Sequence, residues 1–268
     1  MCIKEKPSNA ILANPFRTWL ECICGCNTHG IKKSRFFTKT GKKKAKITEK
    51  NRLLRLAWAI EHLDWTEEQW REILWSDETW VNNSHHRRTW VTRRKGEEYD
   101  PTCVIFSSPG NKAPGWMFWA CFNGTEKGPC VFWEKEWGSI NKESFCEHIV
   151  PIIEGWIRLH PELQFMQDHA PGHRAKATKE EMEARGIKVI DWPPYSPDLN
   201  PIEAVWDLMK DWIQEYYGDE DKLSYDTLRK AVKEAWDAVT VEQLHDLIKS
   251  MRARCQAVID ANGMQTKF

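Results

Sequence analysis

Three carboxylates in this chain sit where their chemistry calls for an explanation. Asp77 lies in the stretch ILWSDETWV, Asp168 ends LQFMQD just before HAPGH, and Glu203 follows WPPYSPDLNP at the head of IEAVW. Carboxylates drawn together repel one another unless a cation sits between them. Their hard oxygens suit Mg2+ or Mn2+. Two such ions, held roughly 3.5–4 Å apart, activate a water or a 3′-hydroxyl and stabilise the leaving oxygen of a phosphodiester displacement. Taken alone, each residue also has a simpler reading. Asp77 would be wetted at a sheet edge or paired with an arginine. Asp168 would be a turn-forming residue that accepts backbone N–H bonds. Glu203 would close a capping box on the Asn200 N–H, with Asn200 as N-cap and Pro201 at the first helical position.

Local context adds to each. With a period of two, Ile73, Trp75, Asp77, Thr79 and Val81 share one strand face, and Glu78 points the other way with Leu74, Ser76 and Trp80. A carboxylate on an otherwise apolar face is costly to bury unless it is paired or metal-bound. Asp168 is expected at the carboxyl end of a strand, where ligand sites gather in open α/β sheets. Before Glu203, four prolines fall between positions 193 and 201. Each presets its own φ and restricts the residue before it. A stiff approach of this kind suits a side chain that must meet partners from distant strands.

The elements that must carry these groups follow from periodicity and punctuation. A helix is expected from Thr48 to about Leu63, because Leu53, Leu56, Ala57 and Ile60 recur at helical spacing. Thr66 caps a short helix, TEEQWREI, with an acidic first turn. ILWSDETWV, TWVTRR, GWMFWACF and GPCVFWEKE read as strands, with GTEKG as a hairpin turn between the last two. A helix over 141–158 is capped by Asn141. Then come the strand LQFMQD, the helix HRAKATKEEMEAR ended by Gly186, the strand IKVI, a long helix from near Pro201, and two more near 224–238 and 241–261. Strands first, then βαβ, then helices: the class is α/β, a mixed central sheet flanked by helices, with further helices at the C-terminal side.

Composition bounds the rest. The 268 residues suggest one large domain, or one domain with an appendage, and 41% hydrophobic content allows a sizeable core. Most of the 16 tryptophans should pack inside or flank a cleft. The formal net charge is zero, yet residues 32–52 hold ten Lys or Arg against one Glu. No apolar run is long enough to span a membrane and no signal-peptide pattern opens the chain, so the nine cysteines are expected as reduced thiols in an intracellular protein.

WSDETWV, QDHAPGH and SPDLNPIEAVWDLMK, in that order, resemble the catalytic domain of Tc1/mariner-family transposases, as do IEHLDWTEEQWREILWSDET and WPPYSPDLNPIE. Between Asp168 and Glu203 lie 34 residues, 169–202, which is similar to the family's DD34E arrangement. The resemblance covers roughly residues 48–268. It implies an RNase H-like fold with the first Asp on the first strand, the second Asp after a later strand and the Glu on a helix. It implies that Asp77, Asp168 and Glu203 are the catalytic and metal-binding triad, holding two ions, Mg2+ or Mn2+. It also implies DNA as partner, with cleavage at transposon ends and joining at TA targets, a homodimer, and a nuclear location. Two departures accompany it. Only about 47 residues precede the matching region, where the family carries paired helix-turn-helix modules, so residues 1–47 are expected to be a poorly structured basic segment or a remnant of such a module, without specific terminal-repeat recognition. His169 stands where the family commonly has Asn. Two other readings stand beside the transposase. One is a catalytically inactive or domesticated relic that binds DNA or protein. The other is an RNase H-like nuclease for other nucleic acids.

The remaining signals are weaker. Cys22, Cys24 and Cys26, with His29 nearby, lack the paired spacing of a structural zinc site. His85, His86, Arg87 and Arg88 read as a solvated turn or a phosphate contact. His173 reads as a cap-region residue rather than a proton carrier. The 32–52 run would cross phosphates or serve as a nuclear-localisation signal, and aromatic rings near a basic groove would stack on bases.

Overall fold

Alternation along 73–82 sets the architecture. The structure, a computed structural model, describes residues 37–40, 47–82, 90–93, 115–218 and 223–268. Ile73–Asn82 is one ten-residue strand, β2. Ile73, Trp75 and Val81 enter one hydrophobic cluster, and Leu74 enters a second on the opposite face. β2 pairs antiparallel with β4 (Gly115–Phe122), which pairs antiparallel with β5 (Lys127–Phe132). β2 also pairs in parallel with β6 (Gln164–Phe165). The sheet order is therefore β5-β4-β2-β6, with β2 in the interior, where both faces can be covered. β4 repeats the alternation: Trp116, Phe118, Ala120 and Phe122 face the first cluster, and Trp119 and Cys121 the second. Phe37–Thr40 (β1) and Trp90–Arg93 (β3) form a two-stranded sheet of their own. Within TWVTRR, residues 90–93 are thus a strand, paired with β1 and not in the four-stranded sheet.

Helices close both faces. On the first lie α1 (Glu49–Glu61), α2 (Glu67–Arg71), α7 (Ile202–Tyr217), α8 (Tyr225–Ala238), α9 (Val241–Lys249) and α10 (Met251–Asp260). On the second lie α3 (Lys142–His148), α4 (Val150–Leu159) and α6 (Lys176–Ala184), with the short α5 (Pro171–Arg174) before α6. The N-caps are those expected: Thr48 accepts from the Asn51 N–H, Thr66 and Asn141 form capping boxes, and Gly186 ends α6 with φ +70°. Among the described residues nine tryptophans are buried. Among the described residues no helix is long and apolar enough to cross a membrane.

Several expectations need correction. The helix over 141–158 is two helices, because Pro151 has no N–H to continue the ladder and its ring crowds the preceding turn. The span 241–261 likewise divides at Ser250. LQFMQD is a strand for only two residues, and IKVI contributes a single bridge, Val189 to Phe165, before Pro193 and Pro194 remove the donors a longer ladder needs. α1 is a helix for a different reason from the one its leucines suggest. Leu53 and Ile60 are half exposed or more, and the core-facing residues are Arg55, Trp58, Ala59 and His62. The cysteine cluster 22–26, His29, the segment 16–23, residues 85–88 and most of the basic run lie outside the described residues.

Candidate active site

The proline-rich run, the middle of β2 and the segment that follows β6 enclose one groove of about 760 Å³, and Asp77, Asp168 and Glu203 all line it. Each arrives on a different element. Asp77 is mid-strand on β2, opposite Ala120 of β4, on the face that is otherwise apolar. Asp168 follows β6, which is set by Gln164 N–H to Glu72 O (2.8 Å) and Met166 N–H to Leu74 O (2.9 Å). Glu203 is in the first turn of α7.

The start of α7 is fixed from two sides. Asn200 holds the start of the helix as expected, its Oδ1 accepting from the Ile202 N–H at 3.3 Å, but without the reciprocal bond. Its own N–H donates to Pro197 O, so no capping box closes on Glu203. In addition its Nδ2 reaches Ser76 O at 3.3 Å, tying the head of α7 to the residue before Asp77. On the other side Asp198 is held by Arg55, whose Nη1 and Nη2 donate to its two oxygens at 2.8 Å each. Thr266 adds its N–H and Oγ1, both at 3.0 Å. Arg55 is fully buried and also donates to Tyr195 O, Ser196 Oγ, Gly263 O and Met264 O. Arg254 Nη1 donates to Asp198 O at 2.8 Å. This is what the stiff loop holds: it delivers Glu203 to the strand that carries Asp77.

His173 is more than a cap-region residue. It is buried, its Nδ1 lies 2.7 Å from Asp168 Oδ1, and its Nε2 lies 3.6 Å from Glu78 Oε1. Burial alone would push the imidazole down. The Asp168 carboxylate on one nitrogen and Glu78 beyond the other outweigh burial and push it up to about 10. Glu78 thus serves the opposite face of β2 from its neighbour Asp77, backing the residue that orients Asp168. The sequence signal for this was the D-E pair itself, since adjacent strand residues face opposite ways.

The electrostatics separate the three acids. Burial, with Glu78, Glu203 and Asp168 nearby, raises Asp77 well above the carboxylate range, against a 2.7 Å hydrogen bond from the Glu78 N–H. Burial also raises Glu203. Burial works the same way on Asp168, but the His173 and Ala170 N–H hydrogen bonds outweigh it and hold Asp168 low. Among the described residues no group of three His, Cys, Asp or Glu closes tightly enough to enclose a metal ion. The donor set nonetheless fits a hard divalent cation: three carboxylates on one groove, two of them penalised in their charged forms by burial and like charge.

Residues 72–224 match the family model described as DDE superfamily endonuclease. The chain is 34% identical over 231 residues to the transposable element Tc1 transposase of Caenorhabditis elegans, across 84% of this chain and 81% of that protein. Among solved structures, the Mos1 transposase paired-end complex with left transposon end aligns with a TM-score of 0.66 at 18% identity, over 85% of this chain and 67% of that one. The Mos1 transposase catalytic domain, solved with raltegravir and Mg, aligns with a TM-score of 0.61 at 15% identity, over 83% of this chain and all of that one. The same domain has also been solved with Mn. These alignments agree with the RNase H-like arrangement of the mixed sheet and its flanking helices.

Proposed function

The chain belongs to the Tc1/mariner transposases of the DDE endonuclease superfamily, and from that premise we propose that Asp77, Asp168 and Glu203 are its catalytic carboxylates, cutting DNA and joining the freed 3′-end to a target. The observation that carries this is the convergence of the three on one groove from β2, β6 and α7. Bound Mg2+ or Mn2+, as a pair, would supply the activated oxygen nucleophile and shield the leaving oxygen. The chain's residues do the rest. Asp77 and Glu203 offer partly buried oxygens that a cation would relieve of mutual repulsion. Asp168 is kept ionised and aimed by His173. Asn200 and the Arg55–Asp198 pair keep Glu203 in register with Asp77. The DNA-bound Mos1 neighbours support a groove that accepts a nucleic-acid strand, and paired-end assemblies support a homodimer.

The test is strand cleavage of labelled duplex DNA by the full chain. Cleavage is expected with Mg2+ or Mn2+ and should stop when EDTA is added. Cleavage that persists in EDTA would refute the reading. Within the same assay, His173→Ala is expected to reduce metal-dependent cleavage about 10–100-fold, the usual loss when a partner that orients a metal ligand is removed. A matching rise in the Mn2+ concentration needed for half-maximal rate should accompany it. An unchanged metal requirement would show that His173 serves packing alone.

A further inference from the structure

Tyr195 stands out in the groove for its backbone. It has φ +55°, and among the described residues only Asn262 shares a positive φ without being glycine. Asparagine tolerates that region, whereas a bulky aromatic residue there is an outlier. The turn Pro194–Tyr195 is where glycine would ordinarily sit. The strain is not left to relax. Arg55 Nη1 takes the Tyr195 carbonyl at 3.0 Å and the Ser196 hydroxyl at 2.8 Å, and that hydroxyl donates back to Pro194 O at 3.1 Å. A fully buried guanidinium thus locks both sides of the residue.

The strain does not serve to bury the ring, because Tyr195 is 59% exposed. It serves to present it. Of the exposed large apolar side chains among the described residues, Leu54 and Tyr195 line the groove of the three carboxylates. The same groove has Lys50 and Arg174 on its lining, both cations. An exposed aromatic beside cations is the combination that carries unpaired nucleic acid: the charges track phosphates, and the ring takes a base face. Strain maintained at such a place points from the outlier to a function. We infer that Tyr195 is a base-stacking platform that receives an unpaired nucleobase flanking the scissile phosphate. The inference rests on the nuclease reading for the position of that phosphate, but not for the stacking itself.

The experiment uses the full chain and a duplex ending in an unpaired 3′ overhang that carries 2-aminopurine, whose fluorescence falls on stacking. Binding is read in Ca2+ and cleavage separately in Mg2+. Wild type and Tyr195→Phe should quench the overhang alike. Tyr195→Ala and Tyr195→Gly should bind it about 5- to 150-fold more weakly, the affinity equivalent of one stacked base, while binding to a blunt duplex is unchanged. Tyr195→Gly relaxes the backbone and should melt no lower than wild type, which separates the ring's role from the fold's. Unchanged quenching in the Ala and Gly variants overturns the proposal, and so does an equal loss on blunt and overhanging DNA. Quenching that depends on Tyr195 in a wild type that cuts nothing in Mg2+ would sink the nuclease reading and leave the platform standing.

Discussion

Asp168→Ala is expected to lower Mg2+-dependent cleavage by at least about 100-fold, more than the loss from any outer partner of a metal site, without unfolding the protein. The two halves of that expectation come from the same geometry. Asp168 follows a two-residue strand, its side chain is half exposed, and its hydrogen-bond partners are the Ala170 N–H and His173. It contributes no apolar surface to either core cluster. It is also the acid that hydrogen bonds from His173 and the Ala170 N–H hold below its ordinary value against burial, which favours the charged form that a cation needs. Single-turnover cleavage of a labelled duplex, with thermal melting in parallel, decides the matter. Cleavage at the wild-type rate by a folded variant would remove Asp168 from the catalytic set.

Arg55→Ala is expected to cost about 3–5 kcal/mol of unfolding free energy, the penalty for stranding one member of a buried ion pair. Asp198 would keep only Thr266 as side-chain partner, and the carbonyls of Tyr195, Gly263 and Met264 would each lose a donor. The pH dependence has a definite sign. Burial pushes Asp198 up, but the Arg55 and Thr266 hydrogen bonds outweigh it, so its folded value lies below the ordinary one. The pair's contribution is therefore complete above the unfolded value of about 3.9 and is lost as pH falls through the depressed folded value. The gap between wild type and Arg55→Ala should be widest near neutrality and narrow in acid. Urea melts at both ends of that window read it directly. An equal gap at both would mean that Arg55 contributes packing and not charge.

What the sequence made legible was whatever short-range physics controls. Alternation placed Asp77 on the apolar face of β2 and Glu78 on the other, because strand side chains must alternate. Thr48, Thr66 and Asn141 declared their helices through side chains that satisfy local N–H groups. The groups that hold the site together were harder to see, because their partners are remote. Arg55 is charged and so reads as a solvated position on a helix, yet it is fully buried, with acceptors 140 to 209 residues away. The local pattern therefore turned α1 the wrong way. Asn200 reads as an N-cap since capping is local, and its Oδ1 does take the Ile202 N–H, but nothing local shows that its Nδ2 also reaches Ser76 O, 124 positions back in the chain. His173 needed both Asp168 and Glu78 before its role showed. The three carboxylates were visible as motifs. Their meeting in one groove is a product of pairing β2 with β6 and of anchoring the prolines.

The Arg55 cluster also has a consequence for the order of events at synthesis. Its acceptors include the carbonyls of Gly263 and Met264, and the Asp198 it grips is closed by Thr266. The loop that sets Glu203 therefore lacks its full anchorage until residue 266 has left the ribosome. Asp77 on β2 and Asp168 just after β6, by contrast, are set by strand pairings whose partners have emerged by residue 190. A growing chain would carry two of its three acids in place and the third adrift. Any nuclease competence would then await residue 266, rather than arise as soon as the two aspartates are in place.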